Sequence, residues 1–149
     1  FCLRENHLEI IKVSSIKYQV SSIKYFYTLT VHNFKELKVW QKAVDFAVEI
    51  YAVTKVFPSE EKFGLVSQMR RAGVSIPSNI AEGCGKTSTK QFSQALEVSL
   101  GESYEMETQL IIAHRTGLIT AERVKELEVN LSELQRMING LKASLAPLT

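Results

Sequence analysis

The last quarter of the chain constrains its fold most. Val124, Leu127, Leu131, Leu134, Ile138, Leu141 and Leu145 follow one another in steps of three and four without a break. That spacing puts all seven side chains on one stripe of an α-helix, at the a and d positions of a heptad. Such a helix draws its stability from packing the apolar stripe against other elements rather than from intrinsic propensity. Thr120 is placed to cap it, and Pro147 to end it.

Three further helical patterns precede it. Asn33 with Glu36 reads as a capping-box start for the first. Leu37, Trp40, Val44, Ala47 and Tyr51 then form one stripe, and Val39, Ala43, Phe46, Ile50, Val53 and Phe57 a second beside it. Two stripes make a wide apolar arc. Deep burial within one chain and a subunit interface both account for it. Pro58 closes this helix. Ser59 is positioned to cap the second, with Glu60 and Glu61 suiting its positive end. Phe63, Val66, Met69, Gly73, Ile76 and Ile80 mark its buried face. Pro77 removes a backbone donor and predicts a kink, with Ser75, Ser78 and Asn79 near enough to serve the freed carbonyls. Gly83 and Gly85 are expected to stop the helix.

Ser88 with Gln91 is a capping box for the third helix, whose apolar face is Phe92, Leu96, Leu100, Met106, Leu110 and Ala113, with Ile111 and Ile112 alongside. Ser99, Gly101 and Ser103 are small and would let another helix come close. Gly117 suits the C′ position, and Arg115 the last turn. Four helices of similar length on short connections predict an all-α, antiparallel up-down-up-down four-helix bundle over residues 33–146, with a kinked second helix.

Residues 1–32 form a separate extension. VSSIKY occurs at Val13–Tyr18 and again at Val20–Tyr25. A β-hairpin element accounts for it, and so does read-through upstream of a translation start near Leu29 or Val31. The chain's formal charge of +2 comes from this end; residues 34–149 hold fourteen basic and fourteen acidic residues. Nucleic-acid binding therefore has to rest on local clustering of cations. Two cysteines, Cys2 and Cys84, fit neither a disulfide framework nor a zinc spacing, and His7, His32 and His114 are scattered. A reducing cytoplasm is expected, with no metal and no cofactor. No apolar run approaches a membrane span, and no export signal is read at the start.

Gly83-Cys84-Gly85-Lys86-Thr87-Ser88 looks like the end of a phosphate loop, but the position needing the first glycine holds Ile80. A helix stop with a solvated lysine is the plainer reading. The start of the third helix, with Lys86 and Lys90, retains some capacity for a phosphate. Cys84 lies near that helix start, which would lower a thiol pKa, yet no histidine accompanies it, so a structural or incidental cysteine is expected rather than a nucleophile. Glu102, Glu105 and Glu107 lack the E-x-x-H partners of a di-iron bundle and read as a solvated acidic face. Arg70 and Arg71 are either an intersubunit or intrachain salt bridge to a helix-three glutamate or, with Lys86, Lys90 and Arg115, a patch for phosphates. No general acid, base and oxyanion site assemble, so no enzyme is expected.

The blocks FKELKVWQKA (34–43), GL with SQMRRA (64–72), SIPSNIAEG (75–83) and ETQL (107–110) together resemble the bacterial four-helix-bundle proteins first noticed as reading frames inside 23S ribosomal RNA intervening sequences. The resemblance spans about residues 33–145. It implies a ring-shaped homopentamer and supplies no catalytic residue. That family is similar in turn to accessory proteins of diversity-generating retroelements, which implies RNA or DNA, a reverse transcriptase or another protein as partner. Those relatives are strongly basic, whereas residues 34–149 here are neutral. The expectation is a homo-oligomeric bundle contacting nucleic-acid phosphates through Arg70, Arg71, Lys86, Lys90 and Arg115; the alternative is a protein-interaction scaffold.

Overall fold

A computed structural model describes residues 33–145. The extension 1–32 with its VSSIKY copies, Cys2, His7 and His32 lies outside the described residues, as does Pro147. Four α-helices follow in order: α1 (Lys38–Thr54), α2 (Leu65–Cys84), α3 (Thr89–Arg115) and α4 (Ala121–Ser144). Short 3-10 turns, Phe34–Glu36 and Ser59–Phe63, precede α1 and α2. There is no strand among the described residues.

Side-chain pairs give the helix directions. Lys42 meets Glu133, while Asn130, earlier along α4, meets Glu49, later along α1. Glu97 pairs with Lys142 and Glu107 with Gln135. Ser99 Oγ donates to the Ile76 carbonyl, while Arg71 reaches Glu105. In each case residue numbers rise on one helix as they fall on its neighbour, so successive helices are antiparallel. Contacts between α1 and α4 close the bundle.

The core follows the sequence periodicity. Ala43, Ile50, Met69, Ile76, Ile80, Leu96, Met106 and Leu110 are all fully buried. From the α4 seam, Val124, Leu127, Leu131, Leu134 and Ile138 are buried, and Leu141 and Leu145 are half-buried near the helix end. Each fully buried aliphatic side chain contributes about 1.5–3 kcal/mol of transfer free energy.

Helix ends set by local chemistry match expectation. Ser88 Oγ accepts from Gln91 N at 3.2 Å, and Thr120 Oγ1 from Arg123 N at 3.3 Å. Gly117, at φ +77, follows α3; its N–H bonds to the His114 carbonyl and that of Leu118 to the Ala113 carbonyl. These are the paired bonds of a Schellman ending. The other starts differ from expectation. Asn33–Glu36 does not begin α1, because Phe34–Glu36 turns as 3-10 and Leu37 occupies the N-cap position. Ser59 does not cap α2 either. The Ser59–Phe63 turn and Gly64 intervene, and Glu61 Oε2 instead accepts from Leu65 N at 3.0 Å.

Pro77 lies buried inside α2, which remains helical from Leu65 to Cys84. Side chains serve the neighbouring carbonyls. Ser78 Oγ donates to Val74 O, Asn79 Nδ2 to Ser75 O, each at 2.8 Å, and Ser99 reaches across from α3. Gly83 is not a helix stop: it lies within α2, which ends one residue later, with Gly85 as the cap.

Candidate functional site

The two stripes of α1 have different fates. Val39, Ala43, Phe46 and Ile50 enter the core. Trp40 and Val44 are only half-buried, and Tyr51 is 46% exposed. With Phe34, Ala47 and Val48 they form one wall of an open groove of about 480 Å³, whose other wall is Val74, Pro77, Ser78 and Ala81 of α2. Phe34 meets Trp40 edge-on, with ring centres 5.1 Å apart. No charged residue lines this groove among the described residues. Val48 is 64% exposed on it, although it belongs to neither stripe singled out in the sequence.

A second hollow, about 660 Å³, continues from the first through the shared Tyr51 and Val74. Lys62, Phe63, Val66, Ser67, Arg70, Arg71 and Ser75 complete it. Phe63, expected in the core, is 88% exposed. The 3-10 turn and the non-helical Gly64 (φ −97, ψ −119) separate it from α2 and break its spacing with Val66.

Arg70 and Arg71 share the rim of this hollow but hold different partners. Arg70 Nε donates to Thr54 Oγ1 at 2.9 Å, and its guanidinium carbon lies 4.7 Å from the centre of the Tyr51 ring. Arg71 Nη2 reaches Glu105 Oε1 at 2.5 Å, and Nη1 reaches Glu102 Oε1 at 3.5 Å. This is the expected salt bridge to a helix-three glutamate, made within one chain. The hydrogen bond to Glu105, then the charges of Glu102 and Glu105, raise the Arg71 pKa above its ordinary value. Glu102 Oε2 and Gln109 Oε1 are buried without a hydrogen-bond partner among the described residues. Glu107 instead accepts from Gln135 Nε2 at 3.2 Å, so the acidic run is divided between two neighbours.

The other three cations stand apart. Lys86 pairs with Glu82 one turn back, at 2.6 Å. Lys90 lies in the first turn of α3 and Arg115 ends it, both exposed and without an ion pair among the described residues. At the α-helical rise, those two residues are about 37 Å apart. The sequence-predicted set thus comprises Arg70 and Arg71 beside the hollow, Lys86 and Lys90 at the α2–α3 turn, and Arg115 at the far end.

Cys84 does not sit where a helix start would lower its thiol pKa. It closes α2 rather than opening α3, it is 2% exposed, and burial pushes its thiol up to about 11. Among the described residues no three metal-ligating side chains cluster, and no helix is long and apolar enough to cross a membrane.

The family model of the 23S rRNA-intervening sequence protein matches residues 35–140. The chain is also similar to a crystallised protein of unknown function from the S23 ribosomal protein family of Bacteroides thetaiotaomicron VPI-5482. The two are 30% identical, with a TM-score of 0.66, over 70% of this chain and 95% of that one. No curated protein matches.

Proposed function

This chain belongs to the family of 23S rRNA-intervening sequence proteins, and from that premise we propose that it is a non-enzymatic bundle that assembles with further copies of itself through the open apolar groove of α1 and α2. The carrying observation is the uncharged lining of that groove, with Val48, Tyr51 and Val74 exposed beside half-buried Trp40 and Val44. Burying such a surface against another protein contributes about 25 cal/mol per Å² of apolar area. The occupant is a second copy, in keeping with the homopentamer that the family resemblance implies. A five-membered ring uses head-to-tail contacts, so the groove would meet a different face of the next protomer. A non-catalytic role is supported by Cys84, whose buried thiol is held neutral. The reading puts the assembly in the cytoplasm, where an unpaired thiol stays reduced. Sedimentation velocity of the wild-type protein tests it: a species several protomers in mass is expected. A monomer at all concentrations would leave the groove to another protein, a reverse transcriptase among the candidates.

A second reading, contact with RNA or DNA phosphates, is favoured by the exposed Lys90 and Arg115, which a ring would repeat in every protomer. Lys86, Arg70 and Arg71 complete that set. Its test is affinity for duplex DNA against salt, where log affinity falls by about 0.9 per phosphate contact for each tenfold rise in salt.

A further inference from the structure

We propose that the hollow between the Ser59–Phe63 turn and α2 binds single-stranded nucleic acid, with an unpaired base stacked on Phe63 and the adjoining phosphate held by Lys62 and Arg70, with Arg71 at the rim. Phe63 is the most exposed large apolar residue among the described ones, at 88%. Packing among the described residues does not account for a phenyl ring left in water. Its surroundings do not suit a purely apolar partner either. Lys62 Nζ lies 5.5 Å from the Phe63 ring centre, and Arg70 stacks on Tyr51. Among the described residues the lining includes three cations, Lys62, Arg70 and Arg71, and no carboxylate. That is a local excess of lining cations on residues 34–149, whose charges sum to zero.

The contrast with the adjoining groove decides the class of ligand. The groove has no charged residue among the described ones and fits an apolar protein surface. Covering the hollow with such a surface would strip water from cations without supplying counter-charge, which is unfavourable. A nucleotide unit brings both requirements at once: a planar base for an aromatic face and an anion for the cations beside it. Arg71 is engaged by Glu105 and Glu102, whereas Lys62 has no ion pair among the described residues and Arg70 donates only its Nε, to Thr54. Those two supply the phosphate contacts. A duplex keeps its bases stacked on each other and has no free face for Phe63, so the site selects single strands.

The inference rests on the nucleic-acid reading and adds stacking at a defined residue. The test is fluorescence anisotropy at low salt with a labelled oligouridine of about twelve nucleotides, alongside a duplex of the same length. Phe63→Ala should weaken oligouridine binding about tenfold or more, the loss typical of one stacked base. Phe63→Leu should fail similarly and Phe63→Tyr should retain binding. Lys62→Ala should weaken binding and flatten its salt dependence. Oligomer mass should be the same for Phe63→Ala as for wild type, since the ring is exposed. Equal binding by wild type and Phe63→Ala or Phe63→Leu would overturn the inference, as would a change of mass in Phe63→Ala, which would make Phe63 a protein contact. UMP competing as well as the strand would overturn it in favour of a free nucleotide. Salt-dependent duplex binding that ignores Phe63→Ala would leave the phosphate reading standing without the stacking site. No binding of either form would remove both.

Discussion

A Cβ atom placed on Gly83 would stand 2.4 Å from Cδ2 and 2.7 Å from Cε2 of Phe92. No real side chain tolerates that approach. The buried Phe92 ring lies directly over the glycine, and Ala95 Cβ would be 3.1 Å away. Gly83 thus lets the start of α3 fold back onto the end of α2. Gly83→Ala should destabilise the bundle by about 1–3 kcal/mol, the range for an overpacked core, read as a lower urea midpoint. Adding Phe92→Leu should recover part of that loss. An unchanged midpoint for Gly83→Ala would contradict the packing.

Gly101 predicts the opposite sign. It lies inside α3, is exposed, and a Cβ there would meet nothing within 4 Å. Alanine is favoured over glycine in a helix interior by about 1 kcal/mol. Gly101→Ala should therefore raise the urea midpoint of the protomer.

Replacing Arg71 should act through charge and be modest. Its partners are Glu105 and Glu102 of the same chain, and its side chain is half-exposed. The closer pair, with Glu105, is exposed on both sides, so it contributes little and is screened by salt. Arg71→Ala should lower the thermal midpoint slightly at low salt, with the difference shrinking as salt rises. Oligomer mass should be unaffected.

Cys84 should be silent toward alkylation in the folded protein. Burial raises its thiol pKa to about 11, and the neutral thiol is a poor nucleophile. Iodoacetamide near neutral pH should modify Cys84 only after denaturant is added, as followed by peptide mass mapping. The folded pKa is raised above the unfolded value. The neutral thiol's contribution to stability is therefore fully present below the unfolded pKa and is lost as pH rises toward about 11. Cys84→Ser should remove that alkaline component.

What was legible in the sequence was what local rules determine. The α4 seam, the Ser88 and Thr120 caps and the Gly117 ending each depend on residues a few positions apart, and each is present. Features that depend on a distant partner were misread. Gly83 looked like a stop because its reason, Phe92, lies on the next helix. Phe63 matched the helical period, but the turn before Gly64 takes it out of register. Cys84 stands beside the start of α3 in sequence, which would lower its thiol pKa, but its burial in the fold raises that pKa instead. The expected close approach at Ser99, Gly101 and Ser103 is divided. Both serines are fully buried within the protomer, while Gly101 faces outward. For the candidate surface, the double stripe on α1 was the visible sign. Which stripe stayed open was not, because that depends on where α2 lies.

The central claim is that the α1–α2 groove holds the copies together. Val48 tests it most directly, since at 64% exposure its replacement leaves the protomer core intact. Native mass spectrometry of wild type and Val48→Asp, with helical content checked by circular dichroism, compares the two. A wild-type assembly of several protomers, five by the family resemblance, and a folded Val48→Asp monomer are expected. A monomeric wild type, or a Val48→Asp protein with the wild-type mass, would contradict it.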